Sequence, residues 1–517
     1  MTISAAEQMM IELINRARLD PQAEADLFGI SLDQGLTAGS ITAAAKQPLA
    51  PNTILEGTAI SHSRWMLDNN TFSHTGADGL GSQQRIGAAG YDLSGDSWRT
   101  SENISRKGTT GTPDLDQFAV DQHEALFLST GHRQTLLDPL FQEIGVAQLG
   151  GSFTSERGTF NSSMVTHAFG TTGRDTFLTG VSYTDDDRDL FYTLGEGRAG
   201  VTIALDGGTA TSAQAGGYSL THGATGPSVV TVTTPAGPMR VQLDLGHGSA
   251  KLDVTGDSAI AASTDIVALD GVVTARLLGG EDLNVTGAPI MIGNAGDNLI
   301  TGGARGESLR GGAGADTIMG GNGSDTLSGN EGDDFIFGGA DAGDLADTIF
   351  GNDGDDSIDA GYGNDVVYGQ AGDDTIAGGF GVDEIIGGTG DDVITGSAFS
   401  DLIFGQAGDD FINGGFGSDR VNGGAGADRF FHLGIEGHGS DWIQDFGSDD
   451  ILHYGSGAAQ TDFQINVTNT ATAGADDVDE VFVIFRPTEQ ILWALVDGAG
   501  QSEITLQVNG QPFDLIV

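Results

Sequence analysis

The chain has no cysteine. That excludes thiol nucleophiles, disulfide frameworks and cysteine-ligated zinc. Basic residues are scarce as well: 21 Lys+Arg stand against 73 Asp+Glu, a formal charge of −52. A field of that sign repels nucleic acid and anionic lipid surfaces and draws cations. No stretch approaches the ~18 apolar residues of a membrane-spanning helix, so no transmembrane segment is expected. The opening residues, MTISAAEQMMIELINRARLDP, lack the basic start and continuous apolar run of a secretory leader. They instead place Met10, Leu13, Ile14 and Ala17 at helical spacing. A length of 517 residues suggests three or four domains.

Glycine is abundant, at 84 of 517 residues, where about 7% is usual. Much of it lies in a repeat. Residues 293–431 divide into fifteen units, fourteen of nine residues and one, GGADAGDLADTIF at 338–350, of thirteen. Acids hold the sixth place in Asp316, Asp325, Asp334, Asp347, Asp356, Asp365, Asp374, Asp383, Asp392, Asp401, Asp410, Asp419 and Asp428. The eighth place is apolar in every unit, from Ile300 to Phe430. Such periodicity means one small unit stacked on copies of itself. Glycines at places one, two and four suit a tight turn, and the β-branched residues that follow suit a short strand with its middle side chain inward.

That inward side chain is worth roughly 2–3 kcal/mol, whereas ordering nine residues costs on the order of 9 kcal/mol. The apolar ladder alone therefore does not fold the segment. The block also carries 26 acids and 4 arginines, a net −22. Carboxylates one strand spacing apart repel by about 1 kcal/mol in water and by more when buried. A hard divalent cation reverses the sign, with glycine carbonyls as further oxygen ligands, and Ca²⁺ has that preference.

The units resemble the RTX, or hemolysin-type, calcium-binding nonapeptide GGxGxDxUx. The resemblance implies a parallel β-roll, one coil per two units, with calcium in the turns and the thirteen aspartates as ligands. Asn298 and Glu307 depart from the sixth-place Asp, and GSAFSD at 396–401 lacks two glycines, so weaker or missing ions are expected there. Beyond the roll, SDWIQDFGSDDILHY at 440–454 leads into alternating strands and an end reading NGQPFDLIV. This resembles the flank of RTX proteins, which implies a C-terminal type I secretion signal, export through that apparatus and an extracellular location. A cap over the last coil is the plainer reading, and both can hold.

Residues 1–172 have ordinary composition and carry five of the ten histidines. Helical patterns cover 5–18, 55–69 and 114–128, and strands are expected at 143–150 and 164–170. The phrases NTFSHTG (70–76), RIGAAGY (85–91), SENIS (101–105), STGHRQTLLDP (129–139), EIGVA (143–147) and VTHAFG (165–170) resemble the CAP superfamily (SCP/PR-1-like) in order and spacing. The resemblance implies an αβα sandwich with a cavity in which His74, Glu102 and His132 can hold a divalent ion, Zn²⁺ being the natural choice. Ser129 stands where the family's second Glu is expected, Glu124 is out of phase, and His167 on the last strand is a further candidate. HEALF at 123–127 has Phe127 where a zinc-protease helix needs its second His, and there is no nucleophile elbow or phosphate loop.

Between the two, residues 173–256 alternate strand phrases with glycine turns, as expected for a small antiparallel β-sandwich. They resemble carboxypeptidase-regulatory-like or SdrD-B-like spacer modules. Within them Asp185, Asp187, Asp189, Thr193 and Glu196 occupy the ligand places of an EF-hand-like loop, with Leu190 where glycine is usual. A solvated acidic loop is the alternative.

The expected organisation is multidomain α/β plus all-β: a CAP domain at 1–172, a β-sandwich at 173–256, a strand-bearing linker at 257–292, a β-roll at 293–431 and a β-rich cap with secretion signal at 432–517. The expected function is that of a secreted calcium-binding modular protein whose CAP domain binds an extracellular or cell-envelope ligand, its repeats folding on calcium after type I secretion. The alternatives are a metal-dependent hydrolase and a structural or adhesive matrix protein.

Overall fold

The first helix starts where its sequence permits. Ser4 accepts from the Glu7 amide at 3.3 Å while the Glu7 carboxylate accepts from the Ser4 amide at 2.9 Å, a reciprocal cap for α1 (Ala5–Leu19). The computed structural model describes residues 3–95, 97–435, 437–470, 473–475 and 478–516. Met1 and Thr2 of the expected N-terminal domain, and Val517 of the expected C-terminal signal, lie outside the described residues. The chain forms two compact units, Met1–Asn284 and Val285–Val517.

In the first unit α1 is followed by α2 (Pro21–Leu27), β1 (Ala50–Pro51), α3 (Thr53–Asp68), α4 (Ser82–Ala88), β2 (Arg99–Thr109), α5 (Leu115–Leu128), α6 (Thr130–Leu136), β3 (Glu143–Ser155) and β4 (Gly158–Thr171). The sheet order is β1-β3-β4-β2, with β3 and β4 a hairpin and β1 parallel to β3. Ile14, Phe127, Leu136, Ile144, Val165 and Phe169 pack one face of this sheet against α1, α5 and α6. Leu55, Ala59, Ile86, Ala147 and Ala168 pack the other against α3 and α4. This is the expected αβα sandwich. Helix α3 lies so close that a Cβ on Gly145 would overlap the backbone of Leu55 and Glu56. Arg18, fully buried, donates to the carbonyls of Gln47, Leu136, Asp138 and Phe141 at 2.7–3.1 Å, so its charge is spread over backbone dipoles.

The chain continues through β5 (Thr176–Tyr183), β6 (Thr202–Leu205), β7 (Gly208–Thr211), β8 (Gly217–His222), β9 (Pro227–Thr234), β10 (Gly237–Asp244), β11 (Ala250–Thr255), β12 (Ala259–Ala262), β13 (Ile266–Ala268) and β14 (Thr274–Leu277). One sheet runs β8-β5-β11-β12-β14 and the other β7-β6-β9-β10-β13. The sandwich is thus mixed rather than antiparallel: β11 returns parallel to β5, and β14 parallel to β12. The reason is a crossover: β8 pairs with one edge of β5, β6, β7, β9 and β10 lie in the other sheet, and the chain then comes back along the other edge of β5 as β11.

Helix α1 also packs on this sandwich. Met9 and Leu13 share a core with Val181, Tyr183 and Tyr192. At the same seam the buried Lys251 ammonium lies 2.8 Å from Glu12 and contacts Asp253, and Gln8 donates to Glu12 at 2.7 Å. The two carboxylates hold the lysine well charged despite its burial.

The second unit is the parallel β-roll. In one sheet Ile300, Ile318, Ile336, Ile358, Ile376, Ile394, Ile412 and Phe430 stand in register, and the row continues through Leu452 to Leu506. In the other the row runs Met291, Leu309, Leu327, Ile349, Val367, Ile385, Ile403, Val421, Ile443 and Leu495. Every eighth-place residue from Ile300 to Phe430 is at most 2% exposed, so two side chains per coil, with Ala360 beside them, make up the apolar core of the repeats. Antiparallel strands Phe463–Thr468, Glu480–Phe485 and Gln490–Leu495 close the end around Trp493.

Removing one partner of a buried ion pair strands the other, at a cost of about 3–5 kcal/mol. Lys251→Ala is therefore expected to lower the stability of the first unit by about that amount. Calorimetric unfolding of the calcium-saturated chain measures it, and a loss below about 1 kcal/mol would contradict the role given to this seam.

Candidate metal centre

The sixth-place aspartates form two ladders along the roll. In one, the backbone amides of Asp316, Asp334, Asp356, Asp374, Asp392 and Asp410 each donate to Oδ1 of the aspartate one coil on, at 2.7–3.0 Å. In the other, Asp325, Asp347, Asp365, Asp383 and Asp401 do the same at 2.8–2.9 Å. Each carboxylate is thereby locked with Oδ1 toward its neighbour. The Oδ2 atoms of all thirteen aspartates are buried and have no hydrogen-bond partner. Buried polar atoms are nearly always paired, so a repeated orphan oxygen marks the position of a group that is not protein.

The backbone supports the same reading. A Cβ on Gly369 would strike Asp374 Oδ2 and the Gly387 carbonyl oxygen, and Gly311, Gly351, Gly387 and Gly405 are placed alike. Carboxylate and carbonyl oxygens thus face one small space that glycine leaves open. Oxygen-only donors, one charge per turn and carbonyls from neighbouring coils fit a hard cation such as Ca²⁺.

Burial, and after it the neighbouring carboxylates, raises these acids: Asp325 and Asp374 to about 6, Asp316 and Asp356 to about 7, Asp347 and Asp401 to about 8. Hydrogen bonds from the ladder amides oppose the rise.

The departures from the repeat behave individually. Asn298 takes Asp's place in the ladder, but its amide is satisfied by Asn294 in both directions, at 2.7 and 2.9 Å. Glu307 is half-buried, accepts from the Gly303 amide at 3.1 Å and keeps its carboxylate beside Gly302, as the aspartates do beside their own first glycine. At 396–401 the turn is kept without its glycines: Ser397 and Phe399 adopt φ of 78° and 81°, and Asp401 Oδ2 is as buried and unpaired as the others. Two ladder members escaped sequence reasoning. The amides of Asp419 and Asp428 face Asp441 Oδ1 at 3.5 Å and donate to Asp450 Oδ1 at 3.0 Å. Asp441 and Asp450 are nine residues apart and each stands two before a buried apolar residue, Ile443 or Leu452. That spacing was the available signal.

A second acidic site lies in the loop after β5. Asp185, Asp187 and Asp189 bring carboxylate oxygens within 4.8 Å of one another, the one such trio among the described residues. Glu196, 6% exposed, closes the loop by accepting from the amides of Asp186 and Thr193 at 2.7 and 2.8 Å. Thr193 Oγ1 lies 3.4 Å from Asp187. Leu190 takes φ 61°, the left-handed conformation that glycine supplies in such loops.

In the αβα sandwich, Glu102 on β2 is the hub. Its Oε1 lies 3.0 Å from His74 Nδ1 and 3.7 Å from His62 Nε2, and its Oε2 accepts from Arg85. His62 also contacts the Ser73 carbonyl at 2.9 Å, and burial lowers its pKa. His132 on α6 directs Nδ1 to Ser129 Oγ at 2.8 Å; burial, then His74, lowers its pKa. The structure therefore joins His74 to Glu102 and turns His132 to Ser129. Glu124 is exposed on α5. His167 is 1% exposed with both ring nitrogens unpartnered, and burial holds it near 3. His62 and Arg85 were not legible as site residues, because nothing local in α3 or α4 points them at β2. Nor was the buried contact of His123 Nε2 with Glu24 Oε1, at 2.7 Å.

Residues 11–160 match the model described as the Cysteine-rich secretory protein family, CAP. Residues 290–304, 310–344, 341–376, 377–398 and 395–430 match the RTX calcium-binding nonapeptide repeat. The chain is thus a modular calcium-binding protein that joins a CAP domain to RTX repeats. Among curated proteins none matches it. Among solved structures, an outer surface protein from Borrelia burgdorferi is similar over 30% of this chain and 94% of its own, at 20% identity and a TM-score of 0.18, a likeness that carries no functional weight.

Because the folded, metal-free roll holds protons that the unfolded chain releases near pH 4, its stability is greatest at acid pH and falls as pH rises through 6–8. Calcium binds the ionised carboxylates. At neutral pH the calcium-free chain is unfolded with its aspartates ionised, so calorimetry in buffers of different ionisation enthalpy should show little proton release on calcium binding above about pH 6 and clear release at about pH 4.5. The calcium midpoint of folding should be level from about pH 6 to about pH 8 and rise on acidification to about pH 4.5. A midpoint that does not rise at acid pH would remove the aspartates from the site.

Proposed function

We propose that the chain is a secreted protein whose roll folds around calcium outside the cell, after export by the type I route, and whose CAP domain binds an extracellular or cell-envelope ligand. The observation that carries the calcium reading is the row of thirteen buried Oδ2 atoms without partners. The thirteen aspartates are the ligands in this reading, with the Asp185–Glu196 loop as a separate site. At submicromolar cytosolic calcium the carboxylates repel uncompensated and the roll stays unfolded, the state that export needs. Residues 432–517 close the roll and carry the export signal in the same reading. Both CAP domains and RTX repeats are typical of secreted proteins.

For the ligand, the open face of the CAP domain offers a groove of about 460 Å³ between β2 and α6, lined by Trp98, Arg99, Ser101, Gln134 and Phe141 among others. Asp138 also lines it, 4.0 Å from Arg99, so aromatic, amide and paired charged groups suit a polar ligand with a flat apolar part. Metal-assisted hydrolysis is the second reading. The 3.0 Å contact of His74 with Glu102 favours it, and the hold of Arg85 on the same carboxylate weakens it.

The test of the calcium reading is far-UV circular dichroism of the full chain in chelator and in millimolar calcium. Strand signal is expected to grow with calcium, and Glu196→Gln to bind one ion fewer; identical spectra would sink the reading. The two readings of the CAP domain are separated by zinc titration of the calcium-saturated chain beside its His74→Ala/His132→Ala variant. Submicromolar zinc binding that the variant loses supports hydrolysis, and equal heats in both leave the binding reading.

A further inference from the structure

The long unit at 338–350 enters and leaves the roll in register: Thr348 pairs with Thr326 on one side and Val366 on the other. Its four extra residues are therefore absorbed within one turn. Leu345 marks where they end, since its amide donates to the Gly323 carbonyl at 2.9 Å and its own oxygen lies against Gly363, as a place-four residue does. The insert is thus residues 341–344, closed by the Asp344 amide donating to the Asp341 carbonyl at 2.9 Å.

An insert in a surface turn of a strongly acidic protein would ordinarily leave its carboxylates in water. Asp341 does so, and its Oδ1 accepts from the Gly343 amide at 2.7 Å. Asp344 does not. It is 6% exposed, its Oδ1 accepts from the Leu345 amide at 3.0 Å, and its Oδ2 is buried without a partner. That Oδ2 and the Gly321 carbonyl oxygen converge on the spot a Cβ of Gly339 would fill, two acceptors at one point, while the backbone amides of Leu345, Gly323 and Tyr362 face the same carboxylate and oppose the rise that burial gives it. At the corresponding place in the turns at Gly361, Gly379 and Gly415 the three nearest atoms are backbone atoms of one residue rather than a carboxylate. Acceptors that converge in a buried space are relieved by a cation.

We infer that the insert builds a calcium position of its own, with Asp344 Oδ2 and the Gly321 carbonyl oxygen among its ligands, beyond those of the sixth-place aspartates. This rests on the calcium reading of the roll. Asp344→Asn keeps an oxygen for the Leu345 amide and gives the Gly321 carbonyl a donor, so the turn is preserved while the charge is lost.

The experiment uses the full chain, saturated with calcium, freed of excess ion by gel filtration, and read for bound calcium by elemental mass spectrometry. Asp344→Asn is expected to carry one ion fewer than wild type with unchanged far-UV dichroism, and Asp341→Asn to carry the wild-type number. An unchanged count in Asp344→Asn overturns the inference, as does an equal loss in Asp341→Asn. Should Asp344→Asn fail to fold, a chain lacking 341–344 restores the nine-residue unit and is read in the same way: one ion fewer supports the site, an unchanged count overturns it. A wild-type chain that takes up no calcium overturns the calcium reading together with this one.

Discussion

The second unit depends on one electrostatic constraint. Aspartate carboxylates are stacked one coil apart, out of water, with one oxygen of each consumed by the ladder and the other left bare. Among the described residues no basic side chain pairs with these carboxylates, and the block holds only four arginines. The hydrogen bond that aligns each Oδ1 also aims each Oδ2, so the backbone itself sets the spacing of the negative charge. The slender core, two residues per coil, is adequate only when that repulsion is cancelled from outside.

Outside the ladders a second set of acids keeps the same period without the same consequence. Asp355, Asp373, Asp391 and Asp409 also accept from the amide one coil away, at 2.8 Å, but they are exposed. Water screens them, and each keeps an oxygen in solvent. Two rows of identical side chains thus differ in chemistry through burial alone.

The roll was almost fully legible because its determinants are local and repeat: a glycine turn, an acid and an inward apolar residue. Legibility ended where the phase broke. Asp441 and Asp450 lie beyond a step of 22 residues rather than 18, so a strict count of nines stops at Asp428. Asp344 was hidden for the same reason, inside a unit that does not scan. In the αβα sandwich α1, α3, α5, β3 and β4 followed from pattern while the short helices α2, α4 and α6 and the strands β1 and β2 did not, and His74, Glu102 and His132 came from motif. The contacts of Glu102 with His62 and Arg85 did not, because they join three elements brought together only by the tertiary fold. The parallel pairing of β11 with β5 was equally invisible, since a strand's sequence does not name its neighbour's direction.

Composition changes near residue 172, and a truncation there looks natural on the page. The packing of α1 advises otherwise. Met9 and Leu13 would lose Val181, Tyr183 and Tyr192; Glu12 would keep its burial on one side and lose its counter-ion. Leu194, which reaches the core beneath α1, would go with them. A fragment cut at that border would expose an apolar, acidic scar along its first helix, prone to self-association, and binding data gathered on it would describe the scar as much as the domain.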